Sequence, residues 1–311
     1  MDSSGQVAPA RRPRRFVRRH ARSLLVVLLG IIFVLPAGPM WVRVHPPRVP
    51  VADDPARHGL RYEEIAFPSP LDGTILRGWY MPAVRSTGRV VIVVPGIDDN
   101  RLVSGISLRL AADLVADGFD VLAFDLRGQG ASDGDTLSFG SREQHDVIGA
   151  VAVARARGAR HVAVIGFSMG AAAAMLAAAR SPDIEALVLD SALADLRDTL
   201  GTGIGTAYHV PGPVVAYALF LYEVLSGTDP ASVVPADAIG ALSTRPLLFI
   251  AGADDRTVKP TDGAAMARAA GANAEYVLVP GAGHVGAFFA DPSAYAGRVR
   301  AFLAAALPPE P

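Results

Sequence analysis

The chain of 311 residues contains no cysteine. Disulfide staples and thiolate zinc sites are therefore excluded, although the compartment stays open. Lysine is almost as scarce. Lys259 is its single example, and arginine carries the positive charge. We read this as a nucleotide-composition bias, not as a phosphate-binding device. Large charge imbalance is also missing, the formal net charge being −1. That figure hides two opposite parts: residues 1–22 hold seven arginines and Asp2, giving +6 and leaving −7 for the remainder. A mildly acidic body with a basic tail does not suit nucleic acid as a partner. No internal repeat is visible, which argues against repeat architectures.

What the chain does have is apolar material. Hydrophobic residues make up 51% of it, enough for one large α/β domain with an appendage. The appendage comes first. Residues 1–23 form a basic, Arg-, Pro- and Ser-rich tail. An unbroken apolar run, 24–35, is interrupted by Pro36-Ala37-Gly38-Pro39 and extended by Met40-Trp41-Val42. The stretch 24–42 is 19 residues, just long enough to cross a bilayer as a helix. Trp41 suits the far interface, and the arginines suit the cytoplasmic side. We expect an uncleaved membrane anchor. The rival is a cleavable signal peptide, but no clean A-x-A site follows the apolar core. Either way the body is expected outside the cytoplasm, membrane-anchored or secreted. Residues 43–60 read as a linker, and 61–311 as the main domain.

Within that domain strands alternate with helices. Two strands, 62–67 and 75–80, flank Asp72-Gly73 and should form a hairpin. Short apolar strands of the buried kind follow at 89–94 and 120–124, with others at 161–165, 186–189, 247–251 and 275–279. Helical segments are expected at 102–116, 142–156, 171–179, 261–270 and 293–306. The pattern argues for a mostly parallel sheet covered on both faces. Residues 192–243 break the alternation. They hold Gly201, Gly203 and Gly205, then an apolar stretch, 214–225, too short to span a membrane.

The chain is organised around Gly166-Phe167-Ser168-Met169-Gly170. A β-branched run leads in and an alanine-rich run leads out, so the pentapeptide reads as strand, sharp turn and helix. A serine there is forced into a strained conformation with its hydroxyl at the tip. The flanking glycines remove Cβ atoms where strand and helix nearly touch. Met169 would offer its N–H to a developing oxyanion. The bland alternative is a tight turn carrying a surface serine.

A serine hydroxyl needs a base, and the base needs an orienting group. Such groups sit on loops at the carboxyl ends of strands. Of seven histidines, only His284 follows a strand in a glycine-rich loop. The acid is less plain. Asp254 and Asp255 follow one strand, and Asp190 ends another. We prefer Asp255, with Asp254 capping the turn.

Elbow, acid and histidine thus occur in the order Ser168, Asp255, His284. Over about residues 61–305 the chain resembles the α/β-hydrolase superfamily, within it the serine-aminopeptidase-like and membrane-anchored α/β-hydrolase-domain branch. The resemblance implies a sheet of about eight strands with helices on both faces and a small helical cap, here 192–243. Its G-x-x-D-x-x-V pattern matches Gly252, Asp255 and Val258. Its D-x-R-G-x-G-x-S loop matches Asp125, Arg127, Gly128, Gly130 and Ser132, a structural floor. Where such sequences have His-Gly, this chain has Pro95-Gly96, which leaves Ile97 as the second oxyanion donor beside Met169.

The expected chemistry is acyl transfer to Ser168, with an ester, thioester or amide as substrate and no metal or organic cofactor. The substrate is expected to be a small molecule with an apolar acyl group, even lipid-like, under a cap made flexible by its three glycines. A peptidase of aminopeptidase type and an idle fold used for binding are the rival readings.

Overall fold

The computed structural model describes residues 23, 24, 30 and 36–308. Eight strands form one sheet: β1 (Glu63–Pro68), β2 (Ile75–Met81), β3 (Arg89–Val94), β4 (Phe119–Phe124), β5 (His161–Phe167), β6 (Ala186–Asp190), β7 (Leu247–Gly252) and β8 (Ala274–Val279). Their order across the sheet is β1-β2-β4-β3-β5-β6-β7-β8. β1 pairs with β2, and β2 with β4, antiparallel; every other pair is parallel. The expected hairpin is present, with Asp72 Oδ1 accepting from the Thr74 N–H at 3.1 Å beside Gly73.

The helices are α1 (Ala37–Val44), α2 (Ile106–Ala116), α3 (Glu143–Ala156), α4 (Met169–Arg180), α5 (Leu196–Tyr208), α6 (Gly212–Ser226), α7 (Ile239–Leu242), α8 (Pro260–Ala270), α9 (Ala287–Ala290) and α10 (Pro292–Ala306). They cover both faces. Alternate residues of β3 show how: Val90, Ile92 and Val94 join one apolar cluster with α3, α4 and α8, while Val91 and Val93 join another with α2 and α10. β3, β4 and β7 are buried along their whole length, because a parallel sheet covered on both sides leaves no polar face. The α/β-hydrolase architecture expected from the motif order is the one the chain adopts.

Strand order places the site. From β3 the chain winds outward to β4; from β5 it winds the other way through β6 to β8. The crevice at the carboxyl ends of β3 and β5 is thus a topological switch point, where ligands of open α/β sheets bind. Ser168 follows β5, and Gly96-Ile97 follow β3.

The insertion 192–243 is helical. Leu196, Leu200, Ala218, Leu219 and Tyr222 of α5 and α6 are buried in the same cluster as Met169. The three glycines, expected to make the cap flexible, are helical. All lie within α5, where a Cβ on Gly201 would sit 3.7 Å from Val215 Cγ1 and one on Gly205 3.9 Å from Val215 Cγ2.

The N-terminal expectations need correction as well. Among the described residues no helix is long and apolar enough to cross a membrane. Most of 24–35 lies outside the described residues. Residues 37–42, expected to end the span, instead belong to α1, which packs on α6 and buries Met40 and Val44 in the core. The stretch 43–60 is no free linker either. Pro55 and Leu60 are buried, Val44 O accepts from the Leu137 N–H at 2.8 Å, and Arg48 donates to the carbonyls of Gln129, Gly130, Ser132 and Gly134. Backbone carbonyls on a neighbouring loop supply what a linker lacks, fixed acceptors for its arginine.

Candidate active site

Ser168 has φ 52° and ψ −115°, a conformation costly for any side-chain-bearing residue. Tight packing around it holds the strain. A Cβ on Gly166 would stand 2.6 Å from Ala171 Cα, and one on Gly170 2.5 Å from Val94 O. Neither separation admits a methyl group, so both positions need glycine. The Ser168 N–H donates to Asp190 O at 2.8 Å, which ties the elbow to β6. Ser168 is 7% exposed.

His284 and Asp255 meet it. His284 Nε2 lies 2.8 Å from Ser168 Oγ. His284 Nδ1 lies 2.8 Å from Asp255 Oδ2. The other carboxylate oxygen, Asp255 Oδ1, accepts from the N–H groups of Thr257 at 2.8 Å and Val258 at 3.0 Å. Burial pushes the Asp255 carboxyl up, but the hydrogen bond and charge of His284 and those two N–H groups together hold it below the usual carboxylate range. It stays an anion, and an anion on Nδ1 leaves Nε2 as the proton acceptor facing serine. Asp254, expected to cap this turn, does not; it is exposed, and Asp255 itself caps.

Asp190, the rival acid, is fully buried and turned elsewhere. Its carboxylate accepts from Ser191 Oγ at 3.0 Å and from the Tyr295 hydroxyl at 2.9 Å. Ser191 Oγ in turn accepts from the Val285 N–H at 3.0 Å, next to His284. The group therefore braces the histidine loop instead of touching the imidazole. Burial pushes the Asp190 carboxyl up to about 6, against the hydrogen bonds of Tyr295 and Ser191 and the charge of His284. Nothing in a sequence pattern joins Ser191 or Tyr295 to His284. The one local sign is positional: Ser191 directly follows a strand end, and it adopts φ 54°.

Met169 is the first residue of α4, so its N–H precedes the first intrahelical bond and is free to donate. The Ile97 N–H follows β3, and Gly96 packs against the elbow, where a Cβ would be 3.3 Å from Ser168 Cβ. The D-x-R-G-x-G-x-S loop forms the expected floor. Asp125 is fully buried and accepts from the Arg101 N–H and from its guanidinium, each at 2.7 Å, and Arg127 pairs with Asp146 at 2.7 Å. Among the described residues no group of three or more His, Asp or Glu could hold a metal.

A fold wound in this way, with a strained serine at the switch point, defines an α/β hydrolase. The chain belongs to that family: residues 91–298, well over half of it, match the alpha/beta hydrolase family. Two relatives are themselves uncharacterised. Rv2307c of Mycobacterium tuberculosis is 31% identical over 234 residues, 73% of each chain. YqkD of Bacillus subtilis is 30% identical over 200 residues, 62% of this chain and 64% of its own length. Among solved structures, the Pyrococcus furiosus esterase Pf2001 superposes with a TM-score of 0.73 at 25% identity, covering 85% of this chain and 98% of that one.

Asp190 makes stability depend on pH. Its carboxyl titrates near 6 in the fold against an ordinary 3.8, so the native state holds the proton more tightly. The contribution is complete below the ordinary value and is lost as pH rises through 6, by about 3 kcal/mol. Asp190→Asn, uncharged at every pH, should gain stability relative to wild type by about that amount between pH 4 and pH 7. Denaturant unfolding of both proteins at the two pH values measures it. A constant difference would show that Asp190 ionises freely.

Proposed function

We propose that the protein is a serine hydrolase cleaving esters through an acyl-enzyme on Ser168. One observation carries the reading: an unbroken hydrogen-bonded line from Asp255 through His284 to a serine at positive φ. His284 Nε2 takes the Ser168 proton as Oγ attacks the acyl carbonyl. Asp255 stabilises the imidazolium and fixes its tautomer. The N–H groups of Ile97 and Met169 receive the tetrahedral oxyanion. Collapse expels the leaving group, which His284 protonates. Water then attacks the acyl-enzyme with His284 as base, and Ser168 regains its proton. The esterase Pf2001 gives the likeness that favours an ester over an amide.

Ser168→Ala should abolish fluorophosphonate labelling and cut ester turnover by on the order of a million-fold, with the fold intact. Asp255→Asn should cost about ten-thousand-fold, because its amide favours the wrong imidazole tautomer. Asp190→Asn should cost under about tenfold, the usual modest price of losing a bracing group. If Asp190→Asn proves the most damaging of the two aspartate variants, Asp255 is not the acid.

The acyl pocket is read as apolar. Ile97, Ile204 and Val215 pack at the margin of the cluster that contains Met169 and the buried cap residues. Each methylene buried there contributes about 0.8 kcal/mol, up to about fourfold in kcat/KM. A series of p-nitrophenyl esters should therefore rise from acetyl to hexanoyl. A flat or falling series, with efficient cleavage of aminoacyl amides, would favour a peptidase.

With 37–42 folded into α1, the twelve residues of the apolar run 24–35 are too few to span a bilayer, and the run is read as an export signal, with the basic tail in the cytoplasm and the hydrolase outside. The seven arginines of residues 1–22 precede the run, and only Arg43 and Arg48 follow it before Asp53. A C-terminal reporter should be active only outside the cytoplasm. Recovery of mature protein beginning beyond Ala37 would show that the signal is cleaved, and a reporter active in the cytoplasm would overturn the reading.

A further inference from the structure

The loop after β4 sends one side chain against the loop after β3. Gln129 is 2% exposed, and its Nε2 donates to the Gly96 carbonyl at 2.7 Å. A carbonyl only accepts, so the amide nitrogen must be the atom that faces it. Gln129 Oε1 is also buried and has no hydrogen-bond partner among the described residues. Buried polar groups that serve stability alone are normally paired throughout. Here only the half that touches Gly96 is paired.

The Gly96 carbonyl and the Ile97 N–H belong to one peptide unit. No peptide bond among the described residues is cis, so the two groups point oppositely across one plane. A donor fixed on the carbonyl thereby fixes the direction of the N–H. It also polarises the unit and strengthens that N–H as a donor. Among the described residues no second donor reaches the Gly96 carbonyl. Pro95 has no N–H to contribute. Gln129 itself is well seated: the Asp125 carboxylate accepts from the Ala131 N–H at 2.8 Å, Ser132 Oγ donates to Asp125 O at 2.6 Å, and Arg48 reaches the Gln129 and Gly130 carbonyls.

We propose that Gln129 is a positioning residue for the oxyanion site, holding the Gly96–Ile97 peptide so that the Ile97 N–H meets the tetrahedral adduct of Ser168. The proposal rests on the acyl-enzyme reading above. A donor aimed at developing charge acts on the transition state more than on bound substrate. The effect therefore belongs in kcat and not in KM.

The test uses the full chain in detergent. Gln129→Met keeps length and removes the donor. It should lower kcat for p-nitrophenyl butyrate about 10- to 100-fold with KM within about twofold. Inhibition by an alkyl boronic acid, whose tetrahedral adduct carries an oxyanion-like oxygen, should weaken by a similar factor. Gln129→Glu supplies a donor only while protonated, so its kcat relative to wild type at the same pH should fall as pH rises. Were Gln129→Met not to fold, that pH series decides. Wild-type kcat and boronate affinity in Gln129→Met, or a pH-independent ratio for Gln129→Glu, would overturn the proposal. Fluorophosphonate labelling of wild type, with its loss in Ser168→Ala, runs alongside. No labelling of wild type brings down the acyl-enzyme reading and this proposal together; intact labelling with indifferent Gln129 variants brings down this proposal alone.

Discussion

The close approach of α4 to the ends of β5 and β3 governs the molecule. Ser168 keeps its positive φ because nothing around it can relax. Gly166 touches the first turn of α4, Gly170 touches the end of β3, and Asp190 holds the Ser168 N–H. Residues in such backbone regions cost on the order of 1–3 kcal/mol and persist only where packing over-determines them. The alanines of α4 supply that packing. Ala171 to Ala174, with Ala177 and Ala178, are buried between the sheet and the neighbouring helices α3 and α7, and bulkier side chains would push α4 out of place. Lifting α4 would free the turn and move the serine from its partners.

The rest of the site is suspended from neighbouring strand ends. β6 contributes Asp190 and Ser191, which brace the histidine loop through the Val285 N–H. β7 contributes Asp255, whose two oxygens divide the labour: one binds its own turn and the other binds His284. β4 contributes the floor loop, where Asp125 and Arg127 are buried and paired. Buried charges of this kind add little net stability, but removing one partner leaves the other uncompensated. Their role is to hold loop geometry. The N-terminal strap belongs to the same scheme, because Arg48 binds four carbonyls of the floor loop.

Much of this was legible before the fold was known. The parallel strands announce themselves as short apolar runs, since burial on both faces removes polar alternation. The elbow is legible because strain and close contact demand glycine at fixed spacing. Histidine could be chosen by elimination, for only His284 follows a strand end. Three readings needed the fold to complete them. Gly201, Gly203 and Gly205 suggest a loop in sequence yet lie inside α5, because tertiary packing overrides the weak helix propensity of glycine. The G-x-x-D-x-x-V register picked out Asp255, but the turn cap expected of Asp254 is also made by Asp255, because only the turn's geometry sets which carboxylate reaches its N–H groups. Residues 37–60 resemble span and linker, yet buried Met40, Val44 and Leu60 bind them to the domain.

The sequence by itself determined the family, the strand–helix alternation and the order of serine, acid and histidine. These depend on local properties: side-chain volume, backbone freedom and apolar period. The tertiary structure alone decided which groups meet across distance. The bracing of His284 by Asp190, Ser191 and Tyr295, the seat of α1 on the cap and the contact of Gln129 with Gly96 join segments far apart in the chain. Such contacts leave no periodic trace, because a single hydrogen bond constrains one atom pair and not a run of residues.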